Sequence, residues 1–99
     1  MDFITDIIHR LSPSQLKALF LLSKTRDGIL SSSENENKIG KKGKALGGVF
    51  SSLVRHKING QSIVLPWGKS ETGRGLRWKL NEKLITKDKL LKITKELLT

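Results

Sequence analysis

Apolar positions along the chain change period several times, and each change predicts an element. In "DFITDIIHRL", Phe3, Ile4, Ile7, Ile8 and Leu11 recur at helical spacing, with Asp2 placed to cap the helix or face its positive end. Ser12 and Pro13 interrupt this pattern. Ser12 is an N-cap residue and Pro13 fits a first helical position, so a second helix is predicted from about Pro13 to Lys24. Leu16, Ala18, Leu19, Phe20 and Leu22 leave it little polar face, which predicts deep burial.

"RDGILSSSENENKIG" then reads as a break. Asp27-Gly28 is a turn signal, and Ile29 with Leu30 suffices for a very short strand. One of Ser31 to Ser33 is placed to cap a short helix through "ENENKI", anchored by Ile39, although serine, glutamate and asparagine compete with helix by local hydrogen bonding. After Gly40 the pattern sharpens. On a helix over 43–57, at about 100° per residue, Leu46, Val49, Phe50 and Leu53 share one face, and Lys44, Gly48, Ser51 and Arg55 share the opposite one.

Asn59-Gly60 is expected to close that helix with a turn. "SIVLPW" follows and is strand-like, with Pro66 marking an edge or an end. "GKSETGRG", residues 68–75, reads as a hairpin tip. In "LRWKLN", Leu76, Trp78 and Leu80 alternate with Arg77 and Lys79, so a hairpin of 62–67 with 76–81 is predicted, its apolar side inward. Thr86 is expected to cap a last helix over about 86–98, with Leu90, Leu91, Ile93, Leu97 and Leu98 mostly in the core. The terminal helices could instead supply a homodimer surface, since a small core often needs one.

Composition adds bounds. A chain of 99 residues, 36% apolar, fits one domain over 1–99. It has no cysteine, which excludes disulfides, thiolate metal sites and cysteine nucleophiles. No apolar run approaches the roughly 20 residues a membrane span needs. "MDFITDIIHR" carries acids where a secretory signal carries bases, so no targeting segment is evident and an intracellular, cytoplasmic protein is expected.

Charge is the most informative compositional feature. Net charge is +10, yet the window from Lys38 to Lys79 holds ten bases and one acid, Glu71, leaving nine bases and eight acids for the rest. A generic solubilising surface would spread the excess along the chain. Its confinement points to a polyanion-binding surface. A bound nucleotide is not the polyanion indicated. "GKKGKALGG" lacks the spacing of a P-loop, has Ala45 where a hydroxyl is needed, and follows no buried strand; the dinucleotide pattern fails as well. Gly43 and its neighbours would open the helix, whose first N–H groups can hold a phosphate. Gly47 and Gly48 have two readings: close crossing by another helix of the fold, or, for Gly48, close approach by a partner backbone.

The succession of helix, helix, brief extended segment, short helix, basic amphipathic helix, hairpin with basic tip and terminal helix resembles the winged helix-turn-helix family of DNA-binding domains, over roughly residues 14–81. The resemblance is carried by "SENENKIG", "GKALGGVFSSLVRHKING" and "SIVLPWGKSETGRGLRWKL". It implies an α+β, mostly helical fold, with a two-stranded β-hairpin wing within about 62–81 and flanking N- and C-terminal helices. It implies that 43–57 is a recognition helix entering the major groove and that 68–75 is the wing. The weakly formed helix before 43 and the long polar stretch from Thr25 to Asn37 depart from the family pattern.

The residues that would carry binding follow. Lys44, Ser51 and Arg55 occupy groove-facing positions of the recognition helix, with Gly48 between them. Arg55 is the base-reading candidate, because a guanidinium pairs bidentately with guanine. Ser51 and Ser52 suit phosphates or base edges. Lys41 and Lys42 before the helix, and Lys69, Ser70, Arg74, Arg77 and Lys79 on the wing, fit phosphate contacts, which position without reading sequence.

Trp78 is expected in the core. Trp67 is expected to be more open, packing at the wing base or stacking on a base. His9 and His56 have no metal-ligand partner at suitable spacing, and no Ser–His–acid grouping stands out. The expectation is therefore a non-enzyme without cofactor or metal, binding double-stranded DNA in transcriptional regulation or another DNA transaction, and nucleoid-associated if so. RNA or single-stranded nucleic acid, or an acidic protein met by a winged-helix interaction module, are the alternatives.

Overall fold

The computed structural model describes residues 3–32, 35–58, 60–69 and 75–99, with the side chain of Phe3 left aside. It is an α+β structure of five helices and a small antiparallel sheet among the described residues. Helix α1 runs over Phe3–His9 and α2 over Pro13–Lys24. The start of α2 forms as its sequence implies. Ser12 Oγ accepts from the Gln15 N–H at 3.3 Å while the Gln15 side chain accepts from the Ser12 N–H at 2.9 Å, a reciprocal capping box. Asp2 lies outside the described residues.

Strand β1, Ile29–Ser31, follows a turn in which Asp27 accepts from the Ile29 N–H. The single-turn helix α3, Glu36–Ile39, is not capped by a serine. Ser31 ends β1. Ser32 is drawn to the root of the hairpin, where both its N–H and its hydroxyl reach the Leu76 carbonyl, and Ser33 lies outside the described residues. Asn35 occupies the cap position and uses its amide to hold the Ser31 carbonyl at 2.7 Å. Gly40 ends α3 in the left-handed conformation, φ 83°, and its N–H bonds to the Glu36 carbonyl.

Helix α4 covers Gly43–Arg55, two residues shorter than its sequence predicts. Lys57–Ile58 instead form β2, which pairs with β3, Gln61–Ser62. Ser62 accounts for the early stop, since its buried hydroxyl donates to the Val54 carbonyl at 2.6 Å and satisfies one of the helix's last acceptors. The expected 59–60 turn therefore joins two strands, with Gly60 at φ 80° and Asn59 outside the described residues.

Strands β4, Val64–Lys69, and β5, Leu76–Leu80, make the predicted hairpin, and β1 adds to it in the order β1-β5-β4. Between Pro66↔Trp78 and Lys69↔Leu76 the first strand carries one extra residue. Gly68, at φ 89°, lies within this bulge. The strand alternation holds for Trp78 and Leu80, which are buried, but Leu76 is 44% exposed. It sits past the bulge, beyond the edge of the core.

The core forms where α2, α4, α5 and the inner sheet face meet. Phe50 of α4 stacks on Trp78 of β5, ring centroids 5.3 Å apart and planes 14° from parallel. The Trp78 indole N–H is buried without an acceptor, a cost of order 1–3 kcal/mol that the ring's packing outweighs. Helix α5, Lys87–Leu98, starts at the Thr86 cap as expected and packs on α2 and α1. It is less buried than its leucines suggest. Leu90 and Thr94 are fully covered, whereas Leu91, Ile93, Leu97 and Leu98 are half-buried. No helix of the described residues is long and apolar enough to cross a membrane.

Candidate nucleic-acid interface

Helix α4 divides its surface sharply. Leu46, Phe50 and Leu53 are buried and Val49 half-buried, while Lys44, Gly48 and Arg55 are exposed and Ser51 half-exposed on the opposite side. The rise of a helix puts Lys44 and Arg55 about 16 Å apart along this face. Among the described residues, nothing beyond the helix's own nearby backbone stands within 4 Å of where a Cβ would project from Gly47 or Gly48. Close crossing by another helix of this chain therefore does not explain either glycine. At Gly48 the face is bare backbone open to solvent.

The N-terminal end of α4 is basic and uncapped by any side chain. Exposed Lys41 and Lys42 precede it, Lys42 with extended backbone, no acid lies in the first turn, and Lys44 follows. This end lies beside the hairpin. Gly43, Leu46 and Gly47 share a cleft of about 310 Å³ with Ser32, Glu36, Gly75, Leu76 and Trp78. Arg55 marks the far end, next to exposed His56 and Lys57.

Ser52 is placed differently from its neighbour. Its hydroxyl accepts from the Gln15 side-chain amide at 2.8 Å and donates to the Val49 carbonyl at 2.6 Å. Ser52 thus faces α2 rather than the outward stripe. Gln15, through this bond and the capping box, ties the start of α2 to the last turn of α4. The S-x-x-Q spacing from Ser12 made its capping role legible, but its reach to residue 52 had no local signal.

The hairpin's bases do not all face one way. Lys69 is exposed at the end of β4, and Ser70 and Arg74 lie outside the described residues. Trp78 faces α4, so Arg77 and Lys79 on either side of it project from the other face of the sheet. There the Lys79 ammonium sits 4.2 Å from the centre of the Trp67 ring, which remains 43% exposed. Arg77 is half-buried, and its Nε is buried without a hydrogen-bond partner. The structure gathers Lys41, Lys42, Lys44, Gly48, Ser51 and Arg55 along α4, and groups Trp67, Arg77 and Lys79 on a second surface.

Among the described residues, no group of three or more histidines, aspartates or glutamates is placed to hold a metal ion. Comparison of the chain with protein-family models, with curated proteins and with solved structures gave no match.

Proposed function

We propose that this chain is a winged-helix protein that binds double-stranded DNA, with α4 lying in the major groove. The observation that carries the reading is the outward face of α4. A lysine, an open glycine, a serine and an arginine run along one side of a helix whose other side is fixed to the core, and the whole chain carries a net charge of +10. Element order supports it: α2, β1, α3, α4 and then the β4–β5 hairpin, with β1 paired to β5. Lys41, Lys42, Lys44 and Lys69 contact phosphates, releasing condensed counterions, and the free N–H groups at the start of α4 take another phosphate. Arg55 reads a base edge, and Gly48 lets the duplex backbone approach. The protein acts as a binder, without cofactor or catalysis, in transcriptional control or another DNA transaction. Two copies meet through the half-buried Ile4, Ile7, Ile93 and Leu97 of α1 and α5.

A second reading is favoured by Trp67. An exposed indole beside Arg77 and Lys79 on an open sheet face is suited to stacking an unpaired base. Competition at about 150 mM salt between duplex DNA, single-stranded DNA and RNA of equal length, read by fluorescence anisotropy, separates the two. The proposal expects duplex DNA to compete best. Preference for either single strand would move the site to the Trp67 surface.

A further inference from the structure

Helix α2 carries a stripe, on the side away from its buried residues, that the DNA reading does not use, although its Leu21 also packs against the core. Lys17, Phe20, Leu21 and Lys24 recur at the i, i+3, i+4, i+7 spacing of a single helix face. The two lysines are exposed and the two apolar residues only half-buried. Together with Lys38 of α3 and Leu98 at the end of α5 they line a groove of about 430 Å³. Its floor is phenyl and leucyl side chain, its rim is three lysines, and among the described residues no carboxylate lines it. The Lys24 ammonium already lies 5.1 Å from the centre of the Phe20 ring, a cation held over an aromatic group that remains partly open.

We propose that this groove docks an acidic amphipathic segment of a partner protein, its apolar side chains seated on Phe20, Leu21 and Leu98 and its carboxylates paired with Lys17, Lys24 and Lys38. Charge complementarity selects the occupant. The rim requires anions, and the floor requires apolar groups projecting from the same ligand, a combination that a helical peptide with acidic and leucine-rich faces supplies. A nucleic-acid backbone brings the anions but no apolar side chain to cover the floor. The groove is also placed to work independently of α4. At about 100° per residue, its α2 stripe lies roughly 180° around the helix from Gln15, the residue that contacts α4. A partner seated there leaves the Lys44–Arg55 face open.

The test uses a fluorescein-labelled peptide of about 15 residues with glutamates on one helical face and leucine and phenylalanine on the other, titrated into the full chain. Expected are saturable binding, amide shifts confined to 17–24, 38 and 98 in a ¹⁵N correlation spectrum, and about a tenfold or greater loss in the Lys17→Ala/Lys24→Ala/Lys38→Ala variant. These lysines are exposed, so the variant should fold, and the single Lys24→Ala exchange should show a smaller loss in the same direction. Lys44→Ala/Arg55→Ala should bind the peptide unchanged. The proposal is overturned if the peptide fails to bind at about 1 mM, if the triple variant binds equally well, or if the shifts fall on 43–55. It is likewise overturned if duplex DNA, anionic phospholipid vesicles or a second copy of the chain perturbs the groove amides while the peptide does not.

Discussion

Gly48 is a position where stability and binding should move in opposite directions. It sits mid-helix, exposed, and among the described residues nothing beyond the helix's own nearby backbone lies within 4 Å of where a Cβ would project. Gly48→Ala therefore adds no clash and recovers the full difference in helix propensity, about 0.8–1 kcal/mol. For a domain of this size that is a rise in melting temperature of about 3–8 °C. Gly47→Ala should add a similar increment, since its Cβ also meets no described neighbour. If DNA approaches over this face, a larger side chain at 48 holds it away, and Gly48→Leu should weaken duplex binding by about tenfold or more, roughly 1.4 kcal/mol. Circular dichroism melts and anisotropy on the same preparations read both effects. A lower melting temperature for Gly48→Ala would mean that the glycine serves packing after all. Unchanged duplex affinity for Gly48→Leu would mean that DNA does not approach there.

Three other perturbations probe separate parts of the account. Arg55→Ala should reduce discrimination between a preferred duplex and a random one by about 1–3 kcal/mol, whereas Lys69→Ala should weaken both alike; equal losses for Arg55→Ala contradict its base-reading role. Gln15→Ala removes both the capping-box partner and the bond to Ser52, and should cost about 1–2 kcal/mol in urea unfolding, with duplex affinity retained in the folded protein; a loss within error would show the α2–α4 tie to be idle. Trp78→Ala should cost about 3–5 kcal/mol, because it empties the stack on Phe50, while Trp67→Ala should cost no more than about 1 kcal/mol. Comparable losses from the two tryptophans would contradict their assigned environments.

Much of this architecture was legible in the sequence where a local rule and the hydrophobic period agree. Ser12-Pro13 and Thr86 start their helices as their side-chain chemistry dictates, and the two faces of α4 follow directly from spacing. What the sequence hid depends on distant partners. The end of α4 is set by Ser62 bonding back to Val54, eight residues away, and no local periodicity announces it. Ser52 looked like a surface serine until Gln15, 37 residues earlier, claimed its hydroxyl. Alternation placed Trp78 correctly but not Leu76, because the bulge before Lys69 carries the strand pair past the core. The same alternation separates Arg77 and Lys79 from α4, although the linear charge count grouped them with it. For α2, Leu16, Ala18, Leu19 and Leu22 are buried as the apolar run predicts, but Phe20 stays half-buried.

The central claim is that the α4 face and its flanking lysines grip the phosphates of duplex DNA, and the salt dependence of binding tests it most directly. With about five phosphates neutralised, the logarithm of the association constant should fall against the logarithm of salt with a slope near −4 to −5. The Lys44→Ala variant should flatten that slope by about one. A slope near zero, or a Lys44→Ala slope equal to that of the unaltered chain, would contradict the claim.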